Sequence, residues 1–128
     1  MAQPEVILWA GGEHPFLLRI GELRAIDDRC RDGAFAAWGR LIARQPRFDD
    51  VYEVVRLGLI GGGMPAEEAR ALVAKVEDQH GLGEMLPTAT LVLFRAFHRR
   101  EEVDDAPGKR MAAEATGSAS AASTASAP

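Results

Sequence analysis

Cys30, His14, His80 and His98 are the side chains best suited to attack a substrate or hold a metal. The three histidines are far apart in sequence, and none has a cysteine or carboxylate at a familiar ligand spacing. Glu77, Asp78 and His80 are close, but positions i, i+1 and i+3 do not put three ligands on one helix face. Cys30 is the only cysteine, so neither an intrachain disulfide nor a multi-cysteine metal site can form. It shares a helical phase with Leu23 and Ile26, which reads as a small core residue. Residues 1–100 contain no serine, and their only threonines are Thr88 and Thr90, so hydroxyl-nucleophile chemistry has little to work with. The expectation is a protein that is not an enzyme, with no catalytic, cofactor-binding or metal residues.

The stretch RLGLIGGGMP (56–65) poses a second chemical question. A phosphate loop gathers backbone N–H groups at a helix start, usually with Lys and Ser/Thr after the glycines. Here Met64-Pro65-Ala66 follows, and proline removes a donor. The residues before the glycines have helical spacing, not that of a strand. Gly61, Gly62, Gly63 and Pro65 therefore read as a structural turn between helices, with Gly61 past one helix end in the left-handed C-cap conformation and proline at the first position of the next. Such a corner could also belong to a small helical DNA-binding regulator. Its second helix, AEEARALVAKVEDQH, opens on two glutamates and carries only Arg70 and Lys75 as Lys/Arg, which argues against contact with nucleic acid.

The elements that would position these residues follow from periodicity. Val6-Ile7-Leu8-Trp9, a Gly11-Gly12 turn and Pro15–Ile20, with Phe16, Leu18 and Ile20 alternating, predict a β-hairpin. Leu23, Ile26 and Cys30 predict a first helix, broken at Gly33. Phe35, Trp38, Leu41 and Ile42 predict the inward face of a second, ended by Pro46. Asp50 and Glu53 have capping-box spacing at the start of a third, with Val51, Val54, Val55, Leu59 and Ile60 as its apolar positions. Glu67 and Glu68 mark the start of a fourth. Its inward positions are Ala69, Leu72, Val73 and Val76, and Gly81 closes it. A fifth runs from Gly83 or Pro87 to about His98. The fold class is α+β, mainly α: an N-terminal hairpin packed on about five short helices.

The chain has 128 residues and a formal charge of −4. From Glu101 onward it is rich in Ala and Ser and acidic, with Val103 and Met111 its only large apolar residues. Such a segment cannot offset its ordering entropy and is expected to be disordered. The expected domain is residues 1–100, followed by a tail at 101–128. Residues 1–100 hold 13 bases against 14 acids, which argues against broad phosphate-backbone binding. No apolar run approaches the ~20 residues of a membrane span, and the N-terminus lacks the basic start of a secretory signal. A cytoplasmic protein is expected.

The fifth helix is apolar nearly all round through ATLVLFRAF (89–97). A surface helix is usually apolar on one stripe. It is either central to the core or core on one side and partner-binding on the other. If Leu86, Leu93 and Phe97 point inward, Leu91 and Phe94 face another side and are candidates for self-association or partner binding.

Three segments, HPFLLRIGELRAIDD, FDDVYEVVRLGLIGGGMPAEEARALV and EDQHGLGEMLPTATLVLFRAF, together resemble the small gene transfer agent family proteins. That family is related to the tail assembly chaperones of long-tailed phages and is also described as phage tail tube proteins. The resemblance spans about residues 5 to 98, and the order "LRIGEL" then "RLGLIGGG" is its most specific part. It implies an α+β fold and a non-enzymatic assembly role in a bacterial cell. Tape-measure protein and tail-tube subunits would be the partners, with a homo-oligomer also open. A tape-measure helix would be what Leu91 and Phe94 hold. The resemblance carries no catalytic residue. A tube subunit builds its ring from large sheets, and this sequence has too few strand signals for that, so chaperone is the reading taken.

Overall fold

The structure is a computed structural model and describes residues 3–98; the tail expected at 101–128 lies outside them. Strands β1 (Glu5–Trp9) and β2 (Gly12–Phe16) form an antiparallel hairpin closed by Ala10 and Gly11. Five helices follow: α1 (Ile20–Arg29), α2 (Gly33–Ile42), α3 (Phe48–Gly61), α4 (Ala66–His80) and α5 (Leu82–Phe97). The fold class is the one the periodicity implied.

The second strand lies earlier than expected. Pairing Trp9 with Gly12 fixes the register, so Phe16 pairs with Glu5 and the strand ends there. Leu17 and Leu18 are both buried, which alternation in a half-exposed strand would not allow. Ile20 belongs to α1 and is exposed. One face of the hairpin (Ile7, Trp9, Phe16) packs on the helices, while Val6, Leu8, Glu13 and Pro15 face solvent.

The N-termini of α1 and α3 are capped by the same device. Glu22 Oε1 accepts the Arg19 amide at 2.8 Å, and Asp50 Oδ2 accepts the Arg47 amide at 2.8 Å. Asp50 is thus the third residue of α3 and not its cap, so the helix starts a turn earlier than the Asp50–Glu53 spacing suggested. Pro65 likewise stands just before α4 as its N-cap, not as its first residue.

The inward face of α2 is Ala34, Ala37 and Leu41. Phe35, Trp38 and Ile42, expected inside with Leu41, lie on the outer side or its border. Small residues let α2 approach α1 and α3 closely, and the large ones are displaced outward. The central helix is α3, which touches the other four helices and β2. Val51, Val54, Val55, Leu57 and Leu59 are all buried in it. α5 is therefore not the central helix. Its buried stripe is Met85, Thr88, Ala89, Val92 and Leu93. Of the inward set expected there, Leu93 is core, while Leu86 and Phe97 are only half-buried.

Candidate functional site

Where α2 meets α5, large side chains collect along an outer seam. Phe35 on α2 stacks on Phe97 of α5, with ring centroids 5.0 Å apart and planes 9° from parallel. The Trp38 ring meets Phe97 edge-on at 5.9 Å and lies 6.1 Å from Phe94. Phe35 remains 79% exposed and Phe94 44% exposed, so neither ring is spent on the core. Between the helices lies a cleft of ≈ 590 Å³, whose walls include Trp38, Ile42, Leu86, Leu91 and Phe94.

Leu91 and Phe94, singled out from the sequence, line this same cleft. Trp38, Ile42 and Phe35 were missed as surface residues. The signal available was a second i, i+3, i+7 pattern on α2 made of large residues beside one of small residues. Thr90 also lines the cleft, but its hydroxyl donates to the Leu86 carbonyl of its own helix at 2.9 Å. Arg44 stands among the lining residues as a cation. With apolar walls and little polar chemistry, the cleft suits the side chains of an apolar or amphipathic segment.

The residues that could have done chemistry are used elsewhere. Cys30 is buried, and its thiol points at the Asp49 carbonyl at 3.7 Å. Burial, followed by the nearby Asp50 carboxylate, pushes its pKa up to about 12. Asp50 itself has no exposed surface. Burial alone would raise its pKa, but the Arg40 guanidinium at 2.7 and 2.8 Å and the Arg47 amide hold it below the usual carboxylate value. The same pair raises Arg40, which also donates to the Arg31 carbonyl at 2.8 Å. This ion pair joins α2 to the start of α3, with the Cys30 thiol beside it.

His14 Nδ1 accepts the Trp9 indole N–H at 2.9 Å, and the His98 ring lies against Phe94. Among the described residues, no group of three or more His, Cys, Asp or Glu is placed to hold a metal. At the glycine corner, the amides of Gly62, Gly63 and Met64 donate to carbonyls of Gly58, Leu59 and Ile60. They do not converge on an anion. The first turn of α4 presents exposed Glu67 and Glu68, and Arg70 is tied to Glu67 at 2.6 Å, a poor surface for DNA. Among the described residues no helix is long and apolar enough to cross a membrane.

Residues 5–99 match the model of the family described as phage tail tube protein, GTA-gp10. No curated protein matches the chain, and no solved structure does.

Proposed function

The chain belongs to the phage tail tube protein family of the GTA-gp10 type, and from that premise we propose that it is a non-enzymatic tail assembly chaperone whose α2/α5 cleft holds helical segments of the tape-measure protein. The observation that carries this reading is the open seam of Trp38, Leu91 and Phe94, flanked by the exposed Phe35. A tape-measure protein is a long helical chain, and its apolar stripes need cover before the tail is built around them. An apolar cleft between two helices accepts such a stripe through anchors at helical spacing. The family description speaks of a tube protein, but a hairpin of two five-residue strands gives little sheet from which to build a ring. The chaperone role fits this mainly helical fold better.

The test is co-purification with a tape-measure protein co-expressed with the full chain. Leu91→Asp and Phe94→Asp, made separately, should each keep the helical circular dichroism spectrum and lose the partner. Retention of the partner by both folded variants would remove the cleft from the binding surface.

A further inference from the structure

The two edges of the hairpin are unequal. The outer edge of β2 is guarded: Pro15 has no N–H to offer, and its carbonyl faces the end of α3, where a Cβ on Gly62 would lie 2.0 Å away. Just beyond the strand, the Leu17 amide is taken by the Gly58 carbonyl at 3.0 Å. β1 is guarded only at its start, by Pro4 and by Glu5, whose charge is paired with Arg95. Its residues, EVILW, include no lysine and no proline, and among the described residues no third strand joins the sheet.

The register also says which groups face the open edge. Antiparallel pairs alternate between hydrogen-bonded and non-bonded. The two-residue turn closes on Trp9 and Gly12, so Trp9/Gly12, Ile7/His14 and Glu5/Phe16 are the bonded pairs. Val6 lies opposite Pro15, which has no N–H to exchange, in agreement with that phase. The backbone N–H and C=O groups of Val6 and Leu8 therefore point away from β2. Their side chains are 64% and 76% exposed on the outer face.

We propose that β1 is a homodimer interface, pairing antiparallel with β1 of a second copy about a twofold axis at Ile7. In that register Val6 of each copy faces Leu8 of the other, and their four outward backbone groups per copy find partners. The exposed valine and leucine chains join into one apolar strip. Charge fits as well: Glu5 falls opposite Trp9 of the second copy, so like charges do not meet, and Glu5 keeps its ion pair to Arg95 at 3.2 Å. A self-complementary strand needs no foreign partner to satisfy both edges. An edge of five residues covers less area than the ~1,200 Å² at the low end of stable complexes. The dimer is accordingly weak and concentration-dependent.

The test uses the full chain in sedimentation velocity from about 1 μM to about 1 mM. The sedimentation coefficient should rise from monomer to dimer across that range. Val6→Lys with Leu8→Lys should remain monomeric, while Phe94→Asp should dimerise like the parent, which separates this edge from the α2/α5 cleft. Amide exchange on the unmodified chain gives a second reading that needs no variant. The Val6 and Leu8 amides should slow about 10-fold or more as the dimer fills, with the Ile7 amide protected at every concentration. A parent chain that stays monomeric throughout, a lysine variant that dimerises normally, or Val6 and Leu8 exchange independent of concentration would each overturn the proposal.

Discussion

The Leu17 amide donates to the carbonyl of Gly58, 3.0 Å away and in the last turn of α3. That carbonyl already accepts the Gly62 amide at 3.0 Å within the helix, and an oxygen has room for both. The second bond is possible because the chain at Pro15–Leu17 lies almost directly on the helix. A Cβ on Gly61 would stand 1.8 Å from the Leu17 oxygen. Gly58, Gly61 and Gly62 thus form a bare stripe at i, i+3 and i+4 on which the hairpin's exit strand rests.

The glycines should therefore separate by mechanism when replaced with alanine. Gly61→Ala and Gly62→Ala collide with backbone that cannot step aside, and each should cost about 3 kcal/mol or more. Gly58→Ala meets the Phe16 ring at 2.9 Å and Val92 at 3.0 Å, side chains that can yield, so about 1–3 kcal/mol is expected. Gly63 has open space around it but a φ of +118°, which L residues rarely adopt, so its alanine should cost about 1–3 kcal/mol through backbone strain alone. Gly39→Ala, with nothing near it in α2, should stabilise by roughly 0.5–1 kcal/mol. Urea denaturation of the five variants checks the order. Equal losses at Gly62 and Gly63 would mean that conformation and not close approach governs the turn.

Much of this was legible in the sequence where a helix has one apolar stripe. The spacings of Val51, Val54, Val55 and Leu59, and of Ala69, Val73 and Val76, led directly to buried faces, because there one stripe is apolar and the other is not. On α2 two stripes compete. The larger residues looked more like core, yet close helix packing favoured Ala34 and Ala37. The glycine run pointed to a helix end, but Gly61 is still the last residue of α3 and the positive φ expected there falls at Gly63. That two of its members are demanded by contact with a strand some 45 residues away is tertiary information, and no local pattern carries it. Leu91 and Phe94 were set apart by elimination, since a helix cannot bury every side, and both line the cleft. Their neighbours Phe35 and Trp38 were hidden by the error on α2.

Removing Arg40 should expose the cost of burying Asp50. Arg40→Met leaves a carboxylate with no exposed surface and only the Arg47 amide and the weak Cys30 thiol beside it. A loss of about 3 kcal/mol at pH 7 is expected, at the low end of the range for buried pairs because Arg40 is itself 23% exposed. The pH dependence follows by sign. In the parent, the Asp50 pKa is lower folded than unfolded. Its contribution is full above about pH 4 and is lost as pH falls through the depressed value. In the variant, burial dominates and raises the folded pKa, so acidification toward pH 4 relieves the penalty. The stability gap between the two proteins should narrow as pH falls. A gap that stays constant from pH 7 to pH 4 would show that Asp50 does not carry it.

Cys30 should behave as a core residue toward thiol reagents. With its pKa pushed up to about 12 and its sulfur buried, almost no thiolate is present at pH 8. Iodoacetamide should label the native chain at least about 100-fold more slowly than the urea-unfolded chain. The rate should rise with denaturant in step with unfolding. Rapid native labelling at pH 8 would place the thiol at the surface and reopen its use in chemistry.

Two neighbours on α5 give the sharpest contrast between core and binding surface. Leu93 has no exposed surface, and Leu93→Ala should cost about 2–5 kcal/mol through lost burial and the cavity left behind. Phe94 is the next residue, rotated about 100° around the helix, and it opens onto the cleft. Phe94→Asp should cost less, about 1–2 kcal/mol, through lost contact with Trp38 and His98 and an acid in the last turn of the helix, because the ring was already 44% exposed. Phe35→Ala should lose only the stacking on Phe97, roughly 0.5–1.5 kcal/mol. If the cleft holds a partner, the order reverses for binding. Phe94→Asp abolishes capture, Phe35→Ala weakens it, and Leu93→Ala retains it at temperatures where the domain is still folded. Thermal denaturation and partner capture on the same three preparations decide the matter. A Phe94→Asp protein that unfolds along with Leu93→Ala would make the seam a part of the core.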